Sequence, residues 1–270
     1  MLERVTFPND VVLYRSPRLA TVGVPHGFST RLGGVSSGPF ASLNLGNPGG
    51  CPTQDDVDNI TKNYRRLHAA VGCEGRQRVF AHQVHGACVL DPATSPQTDT
   101  LHGGCEIGRG DGLITSDANV LLSVRTADCV PVLLSSADGR RVSACHAGWR
   151  GVIAGVVTEA LNRFENPGTV IAAIGPCIGY DAFEVGPDVA DEFDRVFGHE
   201  SPMRRLADGK ARVDLKQALA VQLRRAGVER IDTTDRCTVT HADEFFSHRR
   251  ENGVTGRMAA VIGPVAGGRS

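Results

Sequence analysis

The residues best suited to chemistry are three histidines and a cysteine in three short motifs: His82 and His85 in AHQVHG, Cys129 in TADC, and His146 opening HAGWRG. Imidazole and thiolate form a zinc or copper ligand set, and Cys beside His also forms a nucleophile with its base. Whether they meet depends on the elements between them. Asp138-Gly139, between the apolar runs 130–134 and 141–145, is a hairpin signal. A two-residue loop there sets His146 opposite Pro131, and Cys129, two residues along, becomes its diagonal neighbour on the same face. Diagonal pairs lie roughly 7–8 Å apart at Cα, which a metal with bonds of about 2.0–2.3 Å can span. A three-residue loop would shift the register by one and separate the two side chains. Pro131, moreover, restricts its strand to an edge or a bulge. A buried cysteine beside a hydrogen-bonded histidine is the alternative reading of the same spacing.

His82 and His85, three apart on an extended segment, point to opposite faces, so at most one reaches such a site. His85, before Gly86 at a strand break, suits a ligand better. Two His and one Cys from distant segments leave a fourth metal position open, as catalytic zinc sites do. In HAGWRG the following helix start and Arg150 suit a phosphate or another anion, although an arginine there also reads as a surface ion pair.

Stepping from motifs to elements, residues 55–70 read as a helix, with Val57, Ile60, Tyr64, Leu67 and Val71 on one stripe, Thr53 as N-cap and Gly72 as stop. Residues 78–90 and 112–124 read as strands separated by a long polar loop. Residues 152–164, 187–197 and 214–226 read as helices, and 169–174 and 257–262 as strands. Residues 26–50, rich in Gly, Ser, Asn and Pro, read as ordered loop with short extended pieces. The expected fold is α/β, a single domain over 1–270 with mixed, partly antiparallel sheets covered by helices.

Composition narrows the partners. Lys+Arg 29 against Asp+Glu 30 gives a net charge of −1, so no global field draws the chain to nucleic acid or an anionic membrane. No apolar run is long enough to span a bilayer. The start, MLERVTFPND, has no export-signal pattern, and none of the eight cysteines forms a C-x-x-C pair, so a cytoplasmic location with reduced thiols is expected. H-x-E with P-C-x-x-C and the G-x-G-x-x-G fingerprint are both missing, which argues against a cytidine-deaminase site and a dinucleotide oxidoreductase.

Taken together, HGFSTRLGGVSSGPFASLNLG, QVHG, TADCVPVLL, HAGWRGV, IGPCIG with FEVG, and FFSHRRENGVTGR resemble, in that order, the laccase-domain family, also called the multicopper polyphenol oxidase or purine nucleoside phosphorylase family. The resemblance spans nearly the whole chain. It implies a cytoplasmic zinc-dependent enzyme for phosphorolysis of adenosine, inosine, guanosine and S-methyl-5′-thioadenosine, with adenosine deamination. It implies metal ligands at His85, Cys129 and His146, and substrate contacts at Arg150, Asn44 and Arg31. It also brings two other family descriptions: copper-dependent polyphenol oxidation, and peptidoglycan editing, for which Cys129 would act as nucleophile with His146 as base. Where family members commonly carry tyrosine in FFSYRR, this chain has His248.

Overall fold

VPVLLS and VSACHA are mostly apolar on both alternating sets of positions, as expected of strands covered on both faces. The computed structural model describes residues 1–100 and 103–266. Its strands are β1 (Glu3–Thr6), β2 (Val12–Arg15), β3 (His26–Ser29), β4 (Gln77–His82), β5 (Val89–Leu90), β6 (Thr98–Asp99), β7 (Cys105–Arg109), β8 (Gly112–Thr115), β9 (Val120–Thr126), β10 (Val130–Ser135), β11 (Val142–Ala147), β12 (Ile171–Ile174), β13 (Glu184–Val185), β14 (Met203–Arg205), β15 (Ala211–Val213), β16 (Arg230–Asp232) and β17 (Met258–Ile262). Its helices are α1 (Pro17–Thr21), α2 (Val57–Val71), α3 (Trp149–Ala154), α4 (Val156–Leu161), α5 (Pro187–Phe197) and α6 (Leu215–Arg225).

An eight-stranded sheet has the order β1-β2-β3-β17-β9-β4-β7-β6 and a six-stranded sheet the order β16-β12-β10-β11-β8-β5, with β13-β15-β14 as a small third. Both large sheets mix parallel and antiparallel pairs. Alternation along β10 shows the layering. Leu133 joins Phe28, Leu122 and Ala260 in the core between the two sheets, while Val132 and Leu134 join Val156, Leu161 and Leu219 under the helices. On the far side of the larger sheet, Ile60, Tyr64 and Leu67 of α2 pack on Leu13, Leu121 and Val261. The order is therefore helix, sheet, sheet, helices, and the expected α/β class holds. No helix among the described residues is long and apolar enough to cross a membrane.

Several local expectations are corrected. α2 is capped by Asp56, whose side chain accepts from the Asp58 N–H, rather than by Thr53. The helix read at 152–164 is two short helices, α3 and α4, separated at Gly155, whose φ of +79° turns the chain. The polar loop before residue 112 contains β6 and β7, with Leu101 and His102 outside the described residues. β10 is central rather than an edge. Pro131 is tolerated because it lies beside the end of β12, where its carbonyl accepts from Gly175 N at 2.9 Å.

Candidate functional site

The β10–β11 register pairs Pro131 with His146, as the hairpin signal implies. The loop is longer than two residues, since Ser136 N bonds to Arg141 O at 2.9 Å. Two extra loop residues leave the pairing parity unchanged, so Cys129 and His146 still share a face. The segments before and after them carry the chain from one sheet to the other: β9 runs through TADC into β10, and β4 runs through QVHG towards β5. The donor atoms of His85, Cys129 and His146 converge at this seam, all within 4.8 Å of one another. His85 reaches it through a backbone φ of +61°, uncommon outside glycine.

Asp111 holds this arrangement together. Its carboxylate accepts from the backbone N–H of Val84 at 3.1 Å, His85 at 2.9 Å and Gly86 at 2.8 Å, fixing the QVHG turn. It also accepts from Nδ1 of His146 at 2.8 Å, which leaves Nε2 of that ring for the cluster. Burial acts to raise the Asp111 carboxyl, but the His146 hydrogen bond and the Gly86 N–H outweigh it and keep it ionised. Burial likewise opposes ionisation of Cys129, yet His146 and then His85 hold its thiol down at about 6. His146 responds in the opposite sense: burial is overcome by Cys129 and Asp111, and the ring is held up at about 9. The two shifts share a cause, the attraction between the Cys129 sulfur and the His146 ring, which favours thiolate beside imidazolium. Gly148 completes the site by having no side chain, since a Cβ there would lie 2.8 Å from Cδ2 of His85 and 3.1 Å from Sγ of Cys129.

Two imidazoles and a thiolate, one imidazole oriented by a carboxylate, fit a divalent transition metal. His82 is exposed on the rim rather than in the cluster. Two lobes open on the cluster and share His85, Ala127, Cys129 and His248. One, about 180 Å³, has an apolar wall of Trp149, Ile178, Phe183 and Leu215. The other, about 470 Å³, is basic, with Arg125, Arg257 and His82.

A family profile described as multi-copper polyphenol oxidoreductase laccase matches residues 25–264. The chain belongs to this laccase family. Similar relatives include a purine nucleoside phosphorylase of Deinococcus radiodurans, 39% identical over 255 residues and covering 93% of this chain and 92% of its own. The purine nucleoside phosphorylase YfiH of Escherichia coli is 39% identical over 241 residues, covering 89% and 93%. The crystal structure of YlmD from Geobacillus stearothermophilus superposes with a TM-score of 0.80 at 34% identity, covering 93% of this chain and 96% of that one.

In this laccase-family chain Arg150 lies at the apolar lobe, stacked 4.2 Å over the Trp149 ring and exposed. The structure does not bring Arg31 or Asn44 to the cluster. Arg31 donates to the carbonyls of Ala41 at 2.7 Å and Ala242 at 3.1 Å and stacks on Phe246, clamping FSTR to FFSHRR. Asn44 is buried, donating to Asp55 and accepting from Gly46 N and Arg257 N, so it acts on the basic lobe only by holding the Arg257 backbone. Sequence reasoning does not reach the orienting role of Asp111 or the place of Arg125 and Arg257 on the wall of the basic lobe. A signal existed for Asp111, because continuing the β8–β11 pairing of Gly112 with Cys145 sets it opposite His146. No short turn joins those strands, so their register was not readable beforehand.

Proposed function

We propose that this protein is a zinc-dependent purine nucleoside phosphorylase, acting in the cytoplasm on adenosine, inosine, guanosine and S-methyl-5′-thioadenosine, with adenosine deamination as a second activity. The observation that carries the reading is the His85–Cys129–His146 cluster standing between one apolar and one basic lobe. The names of the relatives support it. Zinc held by these three residues would supply a Lewis acid and the means to acidify water.

The chain's own side chains do the rest. Trp149, Ile178, Phe183 and Leu215 offer flat apolar faces for a purine, with Arg150 over the mouth. Arg125 and Arg257 offer guanidinium forks for orthophosphate in the basic lobe. A phosphate oxygen forms a bond to the ribose anomeric carbon as the bond to purine N9 breaks, and the purine leaves with that electron pair. The departing base takes up one proton, and His248, on the wall common to both lobes, is the side chain we assign to deliver it. In deamination, water replaces the 6-amino group, which leaves as ammonia.

One observation favours a second reading. Cys129, His146 and Asp111 line up as nucleophile, base and orienting carboxylate, an arrangement for amide hydrolysis of the kind a peptidoglycan-editing enzyme requires. Copper also suits a His–His–Cys set, but multicopper oxidation needs several coupled metals and the described residues gather one such cluster.

Chromatography of zinc-loaded protein with each nucleoside, with and without orthophosphate, tests the proposal. Free base is expected only with phosphate, together with an equal amount of the sugar 1-phosphate: ribose 1-phosphate from adenosine, inosine and guanosine, and 5-methylthioribose 1-phosphate from S-methyl-5′-thioadenosine. Absence of turnover, combined with a zinc-free protein whose Cys129 alkylates readily, would transfer the assignment to the hydrolase.

A further inference from the structure

On the larger sheet, beneath α2, Arg78 of β4 is only 4% exposed. Its guanidinium lies 3.7 Å over the Tyr64 ring and 4.5 Å over Phe80 and donates to the Gly103 carbonyl. Among the described residues it makes no ion pair with a carboxylate, and the nearby cation Arg125 adds repulsion. Aromatic faces only partly replace the water this charge has given up. Beside it, Nε2 of His68 is buried without a hydrogen-bond partner. Both face a cleft of about 270 Å³ between α2 and β4, which Arg65 and Arg76 also line, with the single carboxylate of Asp99 among its lining residues.

Three arginines and a histidine nitrogen without a partner, around a cleft roomier than one small ion needs, describe a receptor for a tetrahedral oxyanion. We propose that this cleft is a second anion site, separate from the metal centre, that seats the phosphate group of a small phosphorylated molecule against Arg78 and His68. Arg78 and His68 form its floor, and the exposed Arg65 guards its entrance.

The test follows the His68 ring signals of the full-length, zinc-loaded protein by nuclear magnetic resonance, at fixed pH, during titration with inorganic phosphate and separately with ribose 5-phosphate. A saturable shift of His68 is expected with both, tighter for the sugar phosphate. Equal affinity would identify the free ion as the ligand and still support the site. Arg65→Glu, an exposed change that leaves folding intact, is expected to weaken binding by at least about tenfold. Arg150→Ala, at the other site, should leave the His68 titration unchanged. A His68 signal that stays still to tens of millimolar ligand, or a titration indifferent to Arg65→Glu, would overturn the proposal.

Discussion

Asp111 contributes no donor atom to the three-residue cluster, yet its carboxylate touches two of the three segments that build it. Asp111→Asn removes the charge and turns an amide donor towards backbone N–H groups. Zinc affinity is expected to fall by roughly 10–100-fold, read by competition with a chromogenic chelator, while the folded state persists. Gly148→Ala tests the same centre from the other side. With a methyl group 2.8 Å from His85 and 3.1 Å from Cys129, the variant should lose zinc stoichiometry with little change in Tm. Of these contacts, the Cys129–His146 proximity was legible, because one hairpin signal sets it. The selection of His85 over His82 rested on family resemblance, and its physical basis, the Asp111-bound turn, joins segments whose register no local signal specifies.

Elements announced by short-range chemistry were readable, and those stabilised by distant partners were not. α5 was read at its observed bounds, Pro187–Phe197, because Pro at its first turn and Gly198 at its end are local signals. β1 and β2 carry no such signal, and β3 shows only as one of the short extended pieces of residues 26–50: all three are four residues each and become strands through mutual pairing and through β17, which joins residue 28 to residue 260. Gly155 is the instructive failure. Apolar spacing runs through it, but its left-handed φ bends the chain, so that α3 holds Gly148 against the cluster while α4 packs on the sheet. Gly155→Ala is expected to cost about 1–2 kcal/mol in urea unfolding, since an L side chain resists that conformation. An unchanged urea midpoint would show that the break has another cause.

At the scale of the whole molecule, two of the described histidines outside the His85–Cys129–His146 cluster are held towards the neutral form by folding. In β3, His26 donates from Nδ1 to Val24 O at 2.8 Å and accepts at Nε2 from Ser16 N at 2.9 Å, and burial holds it down at about 4. Burial and then Arg78 hold His68 at about 4 as well. Both protonate near pH 6.5 when unfolded, so below that pH the unfolded chain binds more protons and stability falls as pH falls towards 4. For His26 alone the loss is about 2 kcal/mol by pH 5, and His26→Gln should flatten that part of the urea-midpoint profile in phosphate-free buffer. The four-layer order places the His85–Cys129–His146 cluster where both sheets hand the chain across, and the central claim concerns that seam. It is tested most directly by comparing zinc-loaded wild type with Cys129→Ala, measuring bound zinc and inosine turnover with and without orthophosphate. The account predicts stoichiometric zinc and phosphate-dependent hypoxanthine release in the wild type, with zinc lost and the rate down by roughly 100-fold or more in the variant. A Cys129→Ala protein that keeps full phosphorolysis would contradict it.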